Sequence, residues 1–156
     1  MKAKKIVTIL LVLFALAGII YAVIGGAPRN ESGPAGAVPN PAQDGLVVYY
    51  FHTTFRCHSC LTIERLTRET LNEQFADDLR SGAIRWQEVN YEEPANEPFI
   101  SRYNLYTKQV ILSAVKGGRE VAWKDLDDVW DLKRDEMRFK LYIADEIKKF
   151  RTENGL

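Results

Sequence analysis

Cys57 and Cys60 are the only cysteines in the chain, spaced as Cys57-His58-Ser59-Cys60. Two sulfurs three positions apart on a first helical turn can close into a disulfide and open again. That is two-electron thiol–disulfide exchange. An apolar run, Leu46 to Phe51, precedes the pair, and a helical pattern follows it. A strand, a short loop and a helix beginning at the pair place Cys57 where free N–H groups and the helix dipole favour a thiolate. Cys57 is then the expected nucleophile, and Cys60, one turn further in, the expected resolving thiol.

His58 lies between the sulfurs. A protonated imidazole there favours the thiolate and makes the disulfide more oxidising; the bland alternative is a solvated loop histidine. Arg56 could act similarly, or simply be a solvated surface charge. His52 closes the apolar run, where a histidine is usually a hydrogen-bonded framework residue. Its other reading is as a metal ligand beside both sulfurs, since two thiolates and an imidazole suit copper(I) or zinc. Trp86, Trp123 and Trp130 read as packing. Glu92-Glu93 and Asp125, Asp127 and Asp128 read as compensation of helix N-termini.

The elements that must position these residues follow from periodicity. Leu46 to His52 is fit for a strand buried on both faces. From Cys60, the residues Ile63, Leu66, Thr70 or Leu71, Phe75 and Leu79 recur at helical spacing, and Ser81-Gly82 ends that helix. Ile84 to Asn90 reads as a second strand, and Pro94 to Tyr103 as a short helix. Val110 to Lys116 is a third strand, turned by Gly117-Gly118 into Glu120 to Trp123 as a hairpin. Leu126 to Phe150 carries one long helical pattern, with Val129, Leu132, Phe139, Ile143, Ile147 and Phe150 on one face. The order is β-α-β-α-β-β-α.

Ahead of this domain, Ile6 to Ile24 is almost unbroken apolar and follows Lys2, Lys4 and Lys5. It is long enough to cross ~30 Å of hydrocarbon. No A-x-A-like cleavage site follows, so residues 1–24 read as a membrane anchor in preference to a cleaved signal sequence. The lysines predict a cytoplasmic N-terminus, with the rest in the periplasm or outside the cell. Residues 25–45, rich in Gly, Pro, Ala and Asn, read as a flexible tether. The formal net charge is zero, which gives no ground for nucleic-acid binding.

The element order, with C-x-x-C between first strand and first helix, resembles the thioredoxin fold, a central mixed sheet flanked by helices. The resemblance spans residues 46–156. It rests on Val47 to His52, on Cys57 to Cys60, and on Tyr103-Asn104-Leu105 followed by Val110-Ile111-Leu112. The run Tyr49-Tyr50-Phe51-His52-Thr53-Thr54-Phe55-Arg56-Cys57-His58-Ser59-Cys60 is similar, more narrowly, to a bacterial thioredoxin-like family named as a nitrophenyl-compound nitroreductase subunit (ArsF) family. The chain shows no Gly-rich dinucleotide fingerprint and no sequence signal for flavin.

With the apolar run at 6–24, these residues and the resemblance together predict a membrane-tethered thiol–disulfide oxidoreductase acting through Cys57, Cys60 and His58. It would need no cofactor, but a protein thiol or disulfide partner and a membrane electron carrier. Two alternatives stay open. One is a copper(I)- or zinc-binding, metallochaperone-like module using Cys57, Cys60 and His52. The other is a non-catalytic interaction subunit. Two departures from the thioredoxin pattern matter. The cis-proline expected before the third strand is absent, and Gln109 or Lys108 falls at that place. A cis bond without proline costs about 2.5–4 kcal/mol, so trans is expected. The buried acid expected six positions before the first cysteine is replaced by Phe51. Glu64 and His52 are the remaining candidates for proton acceptor.

Overall fold

The computed structural model describes residues 43–156. The expected anchor at 1–24 and most of the expected tether at 25–45 lie outside the described residues. Among the described residues, no helix is long and apolar enough to cross a membrane.

Four strands form one sheet in the order β2-β1-β3-β4. They are β1 (Gly45–His52), β2 (Ile84–Asn90), β3 (Gln109–Lys116) and β4 (Arg119–Asp125). Strand β1 pairs with β2 in parallel and with β3 antiparallel. Its buried run from Leu46 to His52 suits that central place, because both faces are covered. Strands β3 and β4 form the expected hairpin. Gly117 and Gly118 turn it with φ of 56° and 72°. Two consecutive left-handed residues match the right-handed twist of the flanking strands, and glycine adopts them without steric cost. This mixed sheet, with the helix carrying C-x-x-C directly after β1, is the arrangement that the thioredoxin resemblance implies.

The helices are α1 (His58–Gln74), α2 (Ala76–Ser81), α3 (Pro98–Tyr103), α4 (Val129–Leu132) and α5 (Glu136–Glu153), with a 3-10 turn at Pro94–Asn96. Two expected helices are each divided. The first kinks at Phe75, whose φ of −134° leaves the helical region. Hydrogen bonds still bridge the kink, from Phe75 N–H to Leu71 and from Leu79 N–H to Phe75. The bend buries the Phe75 ring while keeping Leu79 against the core. The last helix is broken at Lys133 to Asp135. There Asp135 becomes an N-cap, its carboxylate accepting from Arg138 N–H at 3.1 Å. A short acidic side chain satisfies an otherwise orphaned helix donor, which favours restarting the helix at that point. The final helix also runs past Phe150, to Glu153.

Helices α1 and α5 cover one face of the sheet. Leu46, Val48 and Leu112 meet Ile63 and Leu66 from α1 and Phe139, Ile143 and Ile147 from α5. Full burial of each such side chain contributes about 1.5–3 kcal/mol. On the other face Val47, Tyr49, Phe51 and Ile111 pack with Phe99 and Tyr103 of α3. The side-chain period of two along β1 thus sorts its residues between two cores.

Candidate functional site

The redox pair stands where β1 hands over to α1. Cys57 is the N-cap residue, extended at φ −76° and ψ 165°, and its sulfur accepts from Cys60 N–H at 3.2 Å. The two cysteines form a disulfide with Cα atoms 5.0 Å apart. Cys57 is half-buried and Cys60 fully buried. An incoming thiolate therefore meets the outer sulfur first. The outer sulfur is the one that the sequence reading expects to be the nucleophile.

Tyr50 secures the inner cysteine. Its hydroxyl donates to the Cys60 carbonyl at 2.7 Å, and burial raises its pKa far above the usual tyrosine value. Sequence reasoning assigned Tyr50 only to the strand. Its even spacing from Val48 places it on the α1 face, and that was the available signal.

His58 is exposed on the first turn of α1. With Ser59 it edges a groove of about 550 Å³, also lined by Thr62, Arg65, Lys133 and Arg134. Its position permits the electrostatic role expected of it. His52 is 8 % exposed. Its Nδ1 faces the Thr53 carbonyl at 2.9 Å, and its Nε2 lies 3.8 Å from a Glu88 carboxylate oxygen. Both ring nitrogens thus face framework groups. Among the described residues, no three His, Cys, Asp or Glu side chains gather as a metal-ligand set.

Arg56 is neither a solvated charge nor free to act on Cys57. Its guanidinium pairs with Glu64, and with Glu88 at 2.7 Å. Arg68 completes the cluster, 3.2 Å from Glu64 and 2.8 Å from Glu88. Two guanidinium groups and two carboxylates balance beneath the loop that leads to Cys57. Glu64 is therefore held as an ion-pair partner of arginines. The charges also lie over aromatic rings, Arg56 above Tyr50 at 5.9 Å and Arg68 above Trp86 at 5.8 Å. A glutamate in the middle of the half-buried strand β2 was the sequence signal for such a cluster.

Glu92 fastens the same loop by accepting from Thr54 N–H at 2.9 Å. That bond, with the nearby positive charge of Lys108, holds its carboxyl below the usual glutamate range. The expected helix-dipole role of Glu92 thus gives way to a loop contact. Asp125 also departs from that role. It ends β4 and accepts from the Gln109 carboxamide, and burial pushes its carboxyl above the usual aspartate range.

Phe51, in place of the expected acid, stacks on Tyr49 at 5.2 Å and packs near Phe99 and Tyr103. Gln109 begins β3 opposite Phe51. No cis peptide bond occurs among the described residues, so the loop before β3 is trans throughout. The Gln109 side chain turns to Tyr106 N–H and to Asp125.

No family model matches the chain, and no curated protein matches it. Solved structures do. Thioredoxin from Fasciola hepatica is 19% identical over 64% of this chain and 86% of its own, with a TM-score of 0.39. Thioredoxin from Trypanosoma brucei brucei is 17% identical over 71% of this chain and 96% of its own, with a TM-score of 0.40. Thioredoxin f2 from Chlamydomonas reinhardtii is 20% identical over 60% and 80%, with a TM-score of 0.38. At these values the likenesses add no argument to the strand order and connectivity described above.

Proposed function

We propose that the domain is a thiol–disulfide oxidoreductase held at the outer face of a bacterial membrane by residues 6–24. The observation that carries the chemistry is the Cys57–Cys60 disulfide at the N-terminus of α1, one sulfur half-buried and the other fully buried. In the reducing direction, the Cys57 thiolate attacks a partner disulfide. A mixed disulfide forms and one partner thiolate leaves. The Cys60 thiolate then attacks the Cys57 sulfur and releases the second partner thiolate. Two electrons pass to the partner, and the protein ends as the disulfide. The reverse sequence oxidises a partner dithiol. No cofactor is needed for either, but a second partner must reset the pair, and a membrane electron carrier suits a domain held at the membrane.

The deciding experiment is a Cys60→Ser substitution in cells. The expected outcome is a partner trapped on Cys57 as a reductant-sensitive mixed disulfide, absent in a Cys57→Ser, Cys60→Ser control. No trapped species, together with a disulfide that resists dithiothreitol, would support the non-catalytic reading. Copper(I) or zinc that blocks alkylation of both thiols would support the metal reading. The narrower likeness to the ArsF family rests on Tyr49 to Cys60. It would gain support only if the reduced protein, with its partner, consumed a nitrophenyl compound.

A further inference from the structure

We infer that Gln109 is a positioning residue for disulfide exchange: its carboxamide, together with the Trp130 indole, locks the Tyr106–Lys108 loop beside the Cys57–Cys60 disulfide. The inference deepens the exchange reading above and rests on it.

The loop's place follows from register. The β1–β3 ladder ends at Phe51 opposite Gln109. Continuing it sets Lys108 beside His52 and Thr107 beside Thr53, at the start of the loop to Cys57. The charge of Lys108 acts on Glu92, which holds Thr54 N–H in that same loop. Among the described residues Tyr106 and Phe55 are the two most exposed large apolar side chains, at 79% and 75%, one on each loop, and we take them as the contacts for a partner segment that reaches the half-buried sulfur.

The Tyr106–Lys108 loop is held by side chains. Gln109 Oε1 accepts from Tyr106 N–H at 3.2 Å, and the Trp130 indole N–H donates to the Lys108 carbonyl at 2.8 Å. Gln109 is 3% exposed, and its Nε2 donates to Asp125. The other Asp125 oxygen is buried with no partner. The carboxamide thus uses its acceptor end on the loop and its donor end on a buried carboxylate. A glutamate there would set two carboxylates together, and a leucine would leave both the loop amide and Asp125 without a partner. An amide of this length meets both demands.

The test uses the full chain in detergent. It compares wild type with Gln109→Leu, Asp125→Asn and Trp130→Phe by amide exchange at Tyr106, by kinetics on an oxidised cysteine peptide, and by a glutathione titration. Gln109→Leu should speed Tyr106 amide exchange and raise KM about tenfold, the scale of one lost hydrogen bond. Its kcat and its glutathione potential should stay at wild-type values. Asp125→Asn, which keeps an acceptor for Gln109, should retain the wild-type KM. Trp130→Phe should raise KM without emptying the site, and it decides the matter if Gln109→Leu does not fold. An unchanged KM in both loop variants, or a shifted potential in Gln109→Leu, would overturn the inference. A wild-type protein with no peptide-disulfide turnover would overturn the exchange reading itself. The Tyr106 amide then decides separately whether the lock exists.

Discussion

The two faces of the sheet hold their helices by different physics. Toward α1 and α5 the contacts are mainly aliphatic, with Ile63, Leu66, Ile143 and Ile147 fully or almost fully buried. Toward α3 the core is aromatic, with Tyr49, Phe51, Phe99 and Tyr103 between 5.2 and 6.0 Å apart. It also encloses a carboxylate. Glu120 accepts from Tyr103 and Ser113 at 2.5 Å each and from Arg102 at 2.9 Å. The first face carries the redox helix mainly on aliphatic packing, with the Tyr50 hydroxyl on the Cys60 carbonyl as its buried polar contact. The second carries α3, and with it the start of the Tyr106 loop, on aromatic packing and on the polar contacts of Glu120 with Tyr103, Ser113 and Arg102. The two faces should therefore respond differently to the loss of a packing side chain and to the loss of a polar partner.

The largest effect should come from the aliphatic face. Phe139 is fully buried on α5. Phe139→Ala should lower the stability of the oxidised protein by about 3–5 kcal/mol in urea unfolding. The surviving folded fraction, once reduced, should still alkylate at Cys57 before Cys60. A loss below 1 kcal/mol would mean that α5 does not carry this face.

Glu120→Ala should cost less, about 1–3 kcal/mol, because it leaves the buried Tyr103 and Ser113 hydroxyls without their acceptor. Glu120→Gln, which keeps an acceptor oxygen, should recover part of that. A larger loss from Glu120→Ala than from Phe139→Ala would reverse the ranking of the two faces.

The smallest effect is a slope at alkaline pH. Burial pushes Tyr49 up to about 12 and also raises Tyr103. Both folded values lie above the ordinary 10.0. The unfolded chain therefore releases these protons first. Their contribution is fully present below pH 10 and is lost as pH rises toward the folded values. Each such tyrosine should lower stability by about 1.4 kcal/mol per pH unit within that window. Tyr103→Phe should flatten the slope measured by urea melts between pH 9 and 11. An unchanged slope would remove titration from the account of the α3 face.

Much of this was legible beforehand, and the reasons are local. The apolar run of β1, the Gly117-Gly118 turn and the Cys57–Cys60 spacing each announce themselves within a few residues. The kink at Phe75 and the break at Lys133 to Asp135 did not, because helical periodicity continues through both. Arg56 was misread for a different reason. Its partners Glu64 and Glu88 come from a helix and a neighbouring strand, and only the parallel register of β1 and β2 brings them under one loop. The sequence sets Gln109, or Lys108, just before the third strand at the place of the missing proline, whereas β3 begins at Gln109 itself. That its side chain serves Asp125 depends on a hairpin register that no local pattern reveals.

The unequal burial of the two sulfurs has a consequence for oxidative damage. A peroxide reaching the reduced protein meets Cys57 and converts it to a sulfenic acid, releasing water. A second peroxide takes an unprotected sulfenic acid on to the sulfinic state, which few systems can reverse. Here the Cys60 thiol stands on the same helical turn, shielded from the oxidant and within bonding reach of Cys57. It condenses with the sulfenic acid, a second water leaves, and the pair returns to the disulfide that exchange already uses. Burial of the inner cysteine thus makes the site its own safeguard against overoxidation.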